Sequence, residues 1–308
     1  MNAGRTPNWL LMPLCIIGIS FLPVGGADGQ GLGLGSKDNP VRYWPAAAPD
    51  TMGLNVEALK DHLEVCKETK STACIVAYKG YIVQEWYEKP VYHQIPILIE
   101  TRSAVKSWTS LLAGILWDQG KLESLDDPVS KYIPEWTSGS EAGVTVRQLL
   151  TMTSGIRQRR ASEWRRLQSE GKILIQAHRN TNEAVFKVEL DTIPGVEYSY
   201  SNEGVQMLSP ILERAAGMPL AAYARERLFD PLDMYWTMMF IDEYYNTVTY
   251  ADASTTPREF AKIGQLVLNN GNWNGRRVVS EEYLEMATTP ILQFEKYGYL
   301  WWVSEERG

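Results

Sequence analysis

Ser103 and Lys106 are the two residues whose types and spacing do chemistry together. They stand three apart at the head of the stretch Glu100-Thr-Arg-Ser-Ala-Val-Lys-Ser-Trp-Thr-Ser-Leu-Leu-Ala-Gly-Ile-Leu-Trp117. A three-residue step places a hydroxyl and an amine on one face of a helix. A serine is a weak nucleophile until a neighbouring base takes its proton. A lysine acts as that base when burial lowers its proton affinity towards neutrality. A helix N-terminus also favours negative charge developing on a bound carbonyl.

The element that must position them is the helix itself. Ala104, Val105, Trp108, Leu111, Leu112, Ile115 and Leu116 recur at helical spacing, and Gly120 is a stop signal. Read as a pair alone, Ser103 and Lys106 serve equally as a helix cap and a surface amine. A second Ser-x-x-Lys, Ser169-Glu-Gly-Lys172, has a glycine inside and a charged approach, and reads as a solvated helix end.

A second motif follows a turn, Pro194-Gly-Val-Glu-Tyr-Ser-Tyr-Ser-Asn202, and leads into helix-forming sequence from Glu203 to Ala216, where Pro210 is expected to introduce a kink. The Tyr200 phenol either makes a structural hydrogen bond or relays a proton to a leaving group and later activates water. Asn202 either caps the helix or hydrogen-bonds Lys106 and a substrate carbonyl. Tyr244-Tyr245-Asn246 repeats the pattern without the turn or the helix and reads as a decoy. Ser154 has no lysine in register and reads as a turn packed beneath the site.

Three stretches in order, Ser103-Ala-Val-Lys106-Ser-Trp, Leu125-Asp-Asp-Pro-Val-Ser-Lys-Tyr-Ile-Pro-Glu-Trp136 and Val144-Thr-Val-Arg-Gln-Leu-Leu-Thr-Met-Thr-Ser-Gly155, strongly resemble the serine β-lactamase-like hydrolases. The resemblance is to the class C-type branch that holds esterases and 6-aminohexanoate-dimer hydrolases, and it runs from about Leu54 to the last residue. It implies an α/β (α+β) β-lactamase/transpeptidase-like fold, an antiparallel sheet flanked by helices, and a mostly helical subdomain near 107–250. It implies catalytic roles for Ser103, Lys106 and Tyr200, and substrate binding by Asn202 and the Ser103 amide. The function implied is a serine hydrolase working through an acyl-enzyme on an ester, amide or lactam. The alternatives are a D,D-peptidase and an inert penicillin-binding-type protein. No metal or organic cofactor is implied. The family also carries a third motif on a later strand, which supplies a second oxyanion donor; on this reading the chain is C-terminally truncated and its own activity is in doubt.

The chain has 308 residues, 44% hydrophobic and 22% charged, with a net charge of −7. That suits a sizeable core, and no basic patch with interleaved aromatics points to nucleic acid. His62, His93 and His178 lack zinc-type spacing, and no Gly-x-Ser-x-Gly elbow occurs. Met1 to Ala27 reads as a secretory signal, with an uncleaved membrane anchor as the alternative. It predicts a secreted or periplasmic protein with no stable membrane partner once the signal is cleaved. Residues 28–50 read as a linker and 51–308 as the hydrolase domain.

Leu54 to Lys70 is predicted helical, and Cys74 to Tyr78 with Tyr81 to Tyr87 form a hairpin about Lys79-Gly80. Cys66 and Cys74 either pair or remain two buried thiols. The run Arg157, Arg159, Arg160, Arg165, Arg166 is either a solvated helix face or an anchor for a substrate carboxylate. Tyr297 to Val303 reads as a strand.

Overall fold

A computed structural model of the chain describes residues 44–93, 96–137, 139–159, 175 and 179–304. The Met1–Ala27 signal, the Ser169–Lys172 pair and Arg160, Arg165 and Arg166 lie outside the described residues.

Helix α1 (Val56–Glu68) is capped by the Asn55 side chain, which accepts from the amides of Glu57 and Ala58. Strands β1 (Ala73–Tyr78) and β2 (Tyr81–Tyr87) pair antiparallel. Lys79 and Gly80 both take positive φ, 49° and 82°. That is the backbone a two-residue turn needs to match the strand twist. Cys66 and Cys74 form a disulfide that ties α1 to β1. Residues 44–50, assigned to a linker by composition, instead pack on the hairpin. Ala46 bridges Ile82 in parallel, and the buried Trp44 donates from its indole to Gly80 O at 2.9 Å.

A second sheet carries the site. Its order is β3 (Ile99–Glu100), β5 (Ala253–Thr255) and β4 (Met238–Met239), all antiparallel. A small hairpin, β6 (Asn272–Trp273) with β7 (Arg276–Arg277), stands apart. Among the described residues the early hairpin and the predicted strand Tyr297 to Val303 share no ladder. That late segment is not a strand. Tyr297 bridges Trp302 and Leu300 takes φ 62°, which folds the segment back on itself. The Leu300 amide donates to Leu150 O at 3.0 Å, so its backbone is spent on helix α3 (Val146–Leu150) rather than on a sheet.

Helix α2 (Val105–Asp118) is the core of the molecule. Val105, Trp108, Leu111, Leu112 and Leu116 are each 0% exposed, and Thr109, Ser110 and Ala113 are buried too. A helix buried on most sides is largely apolar, and the buried polar side chains of this one are Lys106, Thr109 and Ser110. Gly114 lets helix α8 (Glu281–Thr288) come close: a Cβ there would sit 2.4 Å from the Tyr283 ring. Between Val105 and Leu232 the described residues form helices, short helical turns and one isolated bridge, Pro128 to Thr145. They include α3, α4 (Thr181–Phe186), α5 (Asn202–Ala216) and α6 (Leu220–Ala224). Helix α5 runs through Pro210 without a break in its assignment. Helix α7 (Pro257–Leu268) packs on β1 and closes the α/β part.

Candidate functional site

Ser103 sits in a single helical turn, Arg102–Ala104, between β3 and α2. The β3–β5 pairing brings it beside residues 250–253. Thr101 N donates to Ala253 O at 2.9 Å, and Asp252 N donates to Arg102 O at 3.1 Å. Arg102, immediately before Ser103, has φ 50°, and Asp252 also has φ 50°. Left-handed backbone at two non-glycine residues is strained and is held by these cross-links. Ser103 itself is exposed, so its hydroxyl opens to solvent.

Lys106 is 1% exposed. Its Nζ lies 3.0 Å from Ser103 Oγ and donates to the Tyr250 carbonyl. Burial pulls its pKa down to about 7, against the charges of Asp252 and Glu203, which hold it up. The amine also stands 4.9 Å from the centroid of the Tyr200 ring. Burial raises the Tyr200 phenol, while a hydrogen bond with Ser103 draws it back. Ser103, Lys106 and Tyr200 therefore converge, from the turn before α2, from α2 and from the loop before α5.

Asn202 neither caps α5 nor bonds Lys106. The cap of α5 is Ser201, whose Oγ accepts from Gly204 N at 3.1 Å. Asn202 is the first helical residue, and its Oδ1 is buried with no hydrogen-bond partner. Lys106 spends its protons on Ser103 and Tyr250 rather than on this amide.

The decoys fall elsewhere. Ser154 is 2% exposed and supports the first turn of α5, where a Cβ on Gly204 would lie 3.4 Å from its Oγ. Tyr244 is 61% exposed on a surface loop. Asn246 there hydrogen-bonds Asn180 and Asp242. Of the arginine run, Arg159 is buried against Asp191 at 2.6 Å, and Arg157 pairs with Glu197 at 2.9 Å. Arg157, Gln158, Ser199 and Tyr200 line a cleft of about 460 Å³.

Several groups escaped the sequence reading. The Tyr250 carbonyl carries no side-chain signal at all. Gln206, buried on α5, holds the chain that presents it. Its Oε1 accepts from Thr249 N at 3.0 Å, and its Nε2 donates to Thr247 O at 2.9 Å. Glu203 is fully buried, and burial pushes its carboxyl up to about 7. A glutamate in the first turn of a helix is so ordinary that only its burial sets it apart. Among the described residues no group of three or more His, Cys, Asp or Glu is placed to hold a metal ion, and no helix is long and apolar enough to cross a membrane.

The beta-lactamase family model matches residues 98–308. The Staphylococcus aureus protein called Protein flp is 28% identical over 187 residues, covering 58% of this chain and 36% of that protein. The chain thus spans about a third of the length of the curated relatives it matches first. A Bacillus anthracis protein described as a candidate 6-aminohexanoate-dimer hydrolase superposes with a TM-score of 0.66 at 22% identity, over 79% of this chain and 68% of its own. The octameric penicillin-binding protein homologue of Pyrococcus abyssi gives 0.61 at 22% identity, over 80% and 64%.

Proposed function

Because the chain belongs to the beta-lactamase family, with a β-lactamase/transpeptidase-like fold, we propose that it is a serine hydrolase that forms a covalent acyl-enzyme on Ser103. The observation that carries this reading is the 3.0 Å approach of Ser103 Oγ to an amine that burial brings near neutrality. In that protonation state Lys106 accepts the Ser103 proton as Oγ attacks a carbonyl carbon. The new C–O bond drives the carbonyl electrons onto oxygen, beside the Ser103 amide. Collapse expels the alcohol or amine, which takes a proton through Tyr200, and leaves an ester on Ser103. Water then adds to that ester, with the same two groups moving its protons, and frees the acid.

The substrate class proposed is a small ester or amide, lactams included. Asn202, with its unpartnered Oδ1 at the first turn of α5, would receive a donor from the substrate. The exposed Arg157 at the cleft offers a cation to a substrate carboxylate once Glu197 gives way. The Cys66–Cys74 disulfide supports a secreted or periplasmic location, since such bonds persist in oxidising compartments.

The test is fluorophosphonate labelling followed by peptide mapping, run beside p-nitrophenyl ester and nitrocefin assays. Label on Ser103 that disappears in Ser103→Ala is the expected result, and label that survives this substitution overturns the reading. Turnover of the esters marks a hydrolase, whereas a nitrocefin adduct that never turns over marks a protein that traps lactams.

A further inference from the structure

The proposed reaction leaves an apolar strip at the mouth of the cleft without a task. Ile193, Val196, Leu292 and Trp302 are all exposed, Leu292 fully so. Large apolar side chains scattered singly on a surface are ordinary, whereas a contiguous group marks a contact. These four stand on two segments, 193–200 and 291–302, which lie side by side. Three contacts in order hold that alignment. Gln293 Nε2 donates to Gly195 O at 2.8 Å. The Tyr198 and Phe294 rings stack with centroids 4.6 Å apart. The Tyr200 and Trp302 rings stack at 6.2 Å, 20° from parallel. Val196 and Leu292 each adjoin the first of these contacts in sequence, and Trp302 makes the last. The first segment is turned at Pro194-Gly195, where Val196 N donates to Ile193 O at 3.3 Å.

The strip leads out of the catalytic site. Tyr200 lines the cleft, shares a hydrogen bond with Ser103 and faces the Lys106 amine. Val196 lies four residues from Tyr200, at most about 14 Å along the chain. The backbone amides of both segments are already engaged. Gly195 N donates to Thr153 O at 2.7 Å, Ser199 N to Met152 O at 2.8 Å, and Ile291 N to Tyr297 O at 2.9 Å. A peptide strand laid here would find those amides occupied, but an alkyl chain needs none. Glu197, the one charged side chain of residues 193–200, is held by Arg157 at 2.9 Å.

We propose that this strip is the subsite for the leaving group, so that the substrate is an ester of a medium-length alkyl alcohol, or the matching N-alkyl amide. Its chain would run from Tyr200 across Trp302 towards Val196 and Leu292. The orientation follows from the reaction: Tyr200 returns the proton to the departing atom, so the departing group lies on the Tyr200 side of Ser103. That assignment rests on the hydrolase reading above; the affinity of the strip for an alkyl chain does not.

The test compares ethyl and octyl acetate, with acid release followed in a pH-stat. A fully buried methylene strengthens binding about fourfold, and a half-covered one about twofold. Octyl acetate carries six more methylenes, so its kcat/KM should be higher by roughly 10- to 100-fold. In Val196→Ser combined with Leu292→Ser the octyl-to-ethyl ratio should fall about five- to tenfold. Leu292→Met should hold the ratio near wild type. The ratio is read within one protein, so a loss of folded enzyme does not mimic the change. 1-Octanol gives a readout without turnover. It should shift the Trp302 indole N–H signal, assigned by its loss in Trp302→Phe, where ethanol does not, and should do so more weakly in the double variant. A wild-type ratio near one, a ratio that the double variant leaves alone, or an octanol titration that leaves Trp302 unmoved overturns the proposal. So does a double variant that abolishes self-association of the chain while the ratio stays put, which makes the strip an interface between copies. If neither ester is hydrolysed and Ser103 takes no label, yet octanol shifts Trp302, the hydrolase reading falls and the alkyl site stands.

Discussion

The pH dependence of Ser103 labelling tests the central premise, that burial makes Lys106 a base. A solvent-exposed lysine titrates near 10.4, and at pH 7.5 about one in a thousand is neutral. Burial brings Lys106 to about 7, so at the same pH roughly three quarters carry a free amine. The gain in available base is several hundredfold, of the order of 10²–10³. The labelling rate constant should rise between about pH 6 and 8 and then level off, since the amine is fully neutral above its folded pKa. Lys106→Arg keeps the positive charge and most of the volume. Its guanidinium holds its proton at every working pH, so the variant should label roughly 10²- to 10⁴-fold more slowly. Stopped-time labelling with a fluorophosphonate from about pH 5 to 10 measures both. A midpoint near 10, or an arginine variant that labels at the wild-type rate, would refute burial as the source of the base.

Three further outcomes follow from the same geometry. Tyr200→Phe should slow acylation or its reversal by about 10²- to 10⁴-fold, whereas Tyr244→Phe, on an exposed loop, should leave the rates alone; equal losses in ester assays would undo the assignment. Stability should pass through a minimum near pH 7. Glu203 has its pKa raised, so its contribution is present below its ordinary carboxylate range and is lost as pH rises towards 7. Lys106 has its pKa lowered, so the cost of burying its charge is present below about 7 and is relieved as pH climbs to its ordinary value, a swing of about 5 kcal/mol. Lys262, buried and lowered to about 8, adds to the alkaline limb. Denaturant midpoints across pH check this: Glu203→Gln should erase the acid-side fall and Lys106→Met should reduce the alkaline rise, and a flat profile between pH 5 and 9 would contradict it. Gly155→Ala should destabilise the cleft loop by about 2 kcal/mol or more. Its φ is +83°, and a Cβ there would meet Thr192 O at 2.3 Å, so an unchanged melting temperature would show that the turn re-forms freely.

The parts of the site that could be read in advance are those where side-chain type and spacing are themselves the mechanism. Ser103 and Lys106 lie on one continuous stretch of helical backbone, a single turn that runs into α2, so their spacing already fixes their approach. Apolar positions at helical intervals made α2 a buried helix before any packing was known. The Lys79-Gly80 turn was legible because positive φ at both positions is a local requirement. What stayed hidden depends on long-range placement. The Tyr250 carbonyl reaches Lys106 across 144 positions of sequence, and no side chain announces it. A cap was one of two readings of Asn202, because Asn is a good cap, yet Ser201 stands one residue earlier and takes that role. Tyr297 to Val303 has the composition of a strand, but composition cannot supply a partner ladder. Its amides went instead to Leu150 and to its own turn.

The groups in and around the site share a physical character. Lys106 and Glu203 are charges in a core that otherwise excludes them, Arg102 and Asp252 hold left-handed backbone, and Asn202 keeps a buried oxygen unpaired. Each is unfavourable on its own, and each lies on the path from β3 through Ser103 to the first turn of α5. The surrounding core is the opposite, with Trp108 wedged at 5.3 Å from Phe229 and Val105, Leu111 and Leu112 sealed from water. Burial is what lowers the Lys106 pKa, so the packing that encloses α2 and stabilises the fold also prepares the amine. A substitution that loosened the seal, such as Trp108→Ala, would cost about 3–5 kcal/mol of stability. A substitution that admitted water to Lys106 itself would return it towards its ordinary proton affinity. Stability and base strength at this site are therefore coupled through one set of contacts, and a variant that gained solvent around Lys106 would be expected to lose both together.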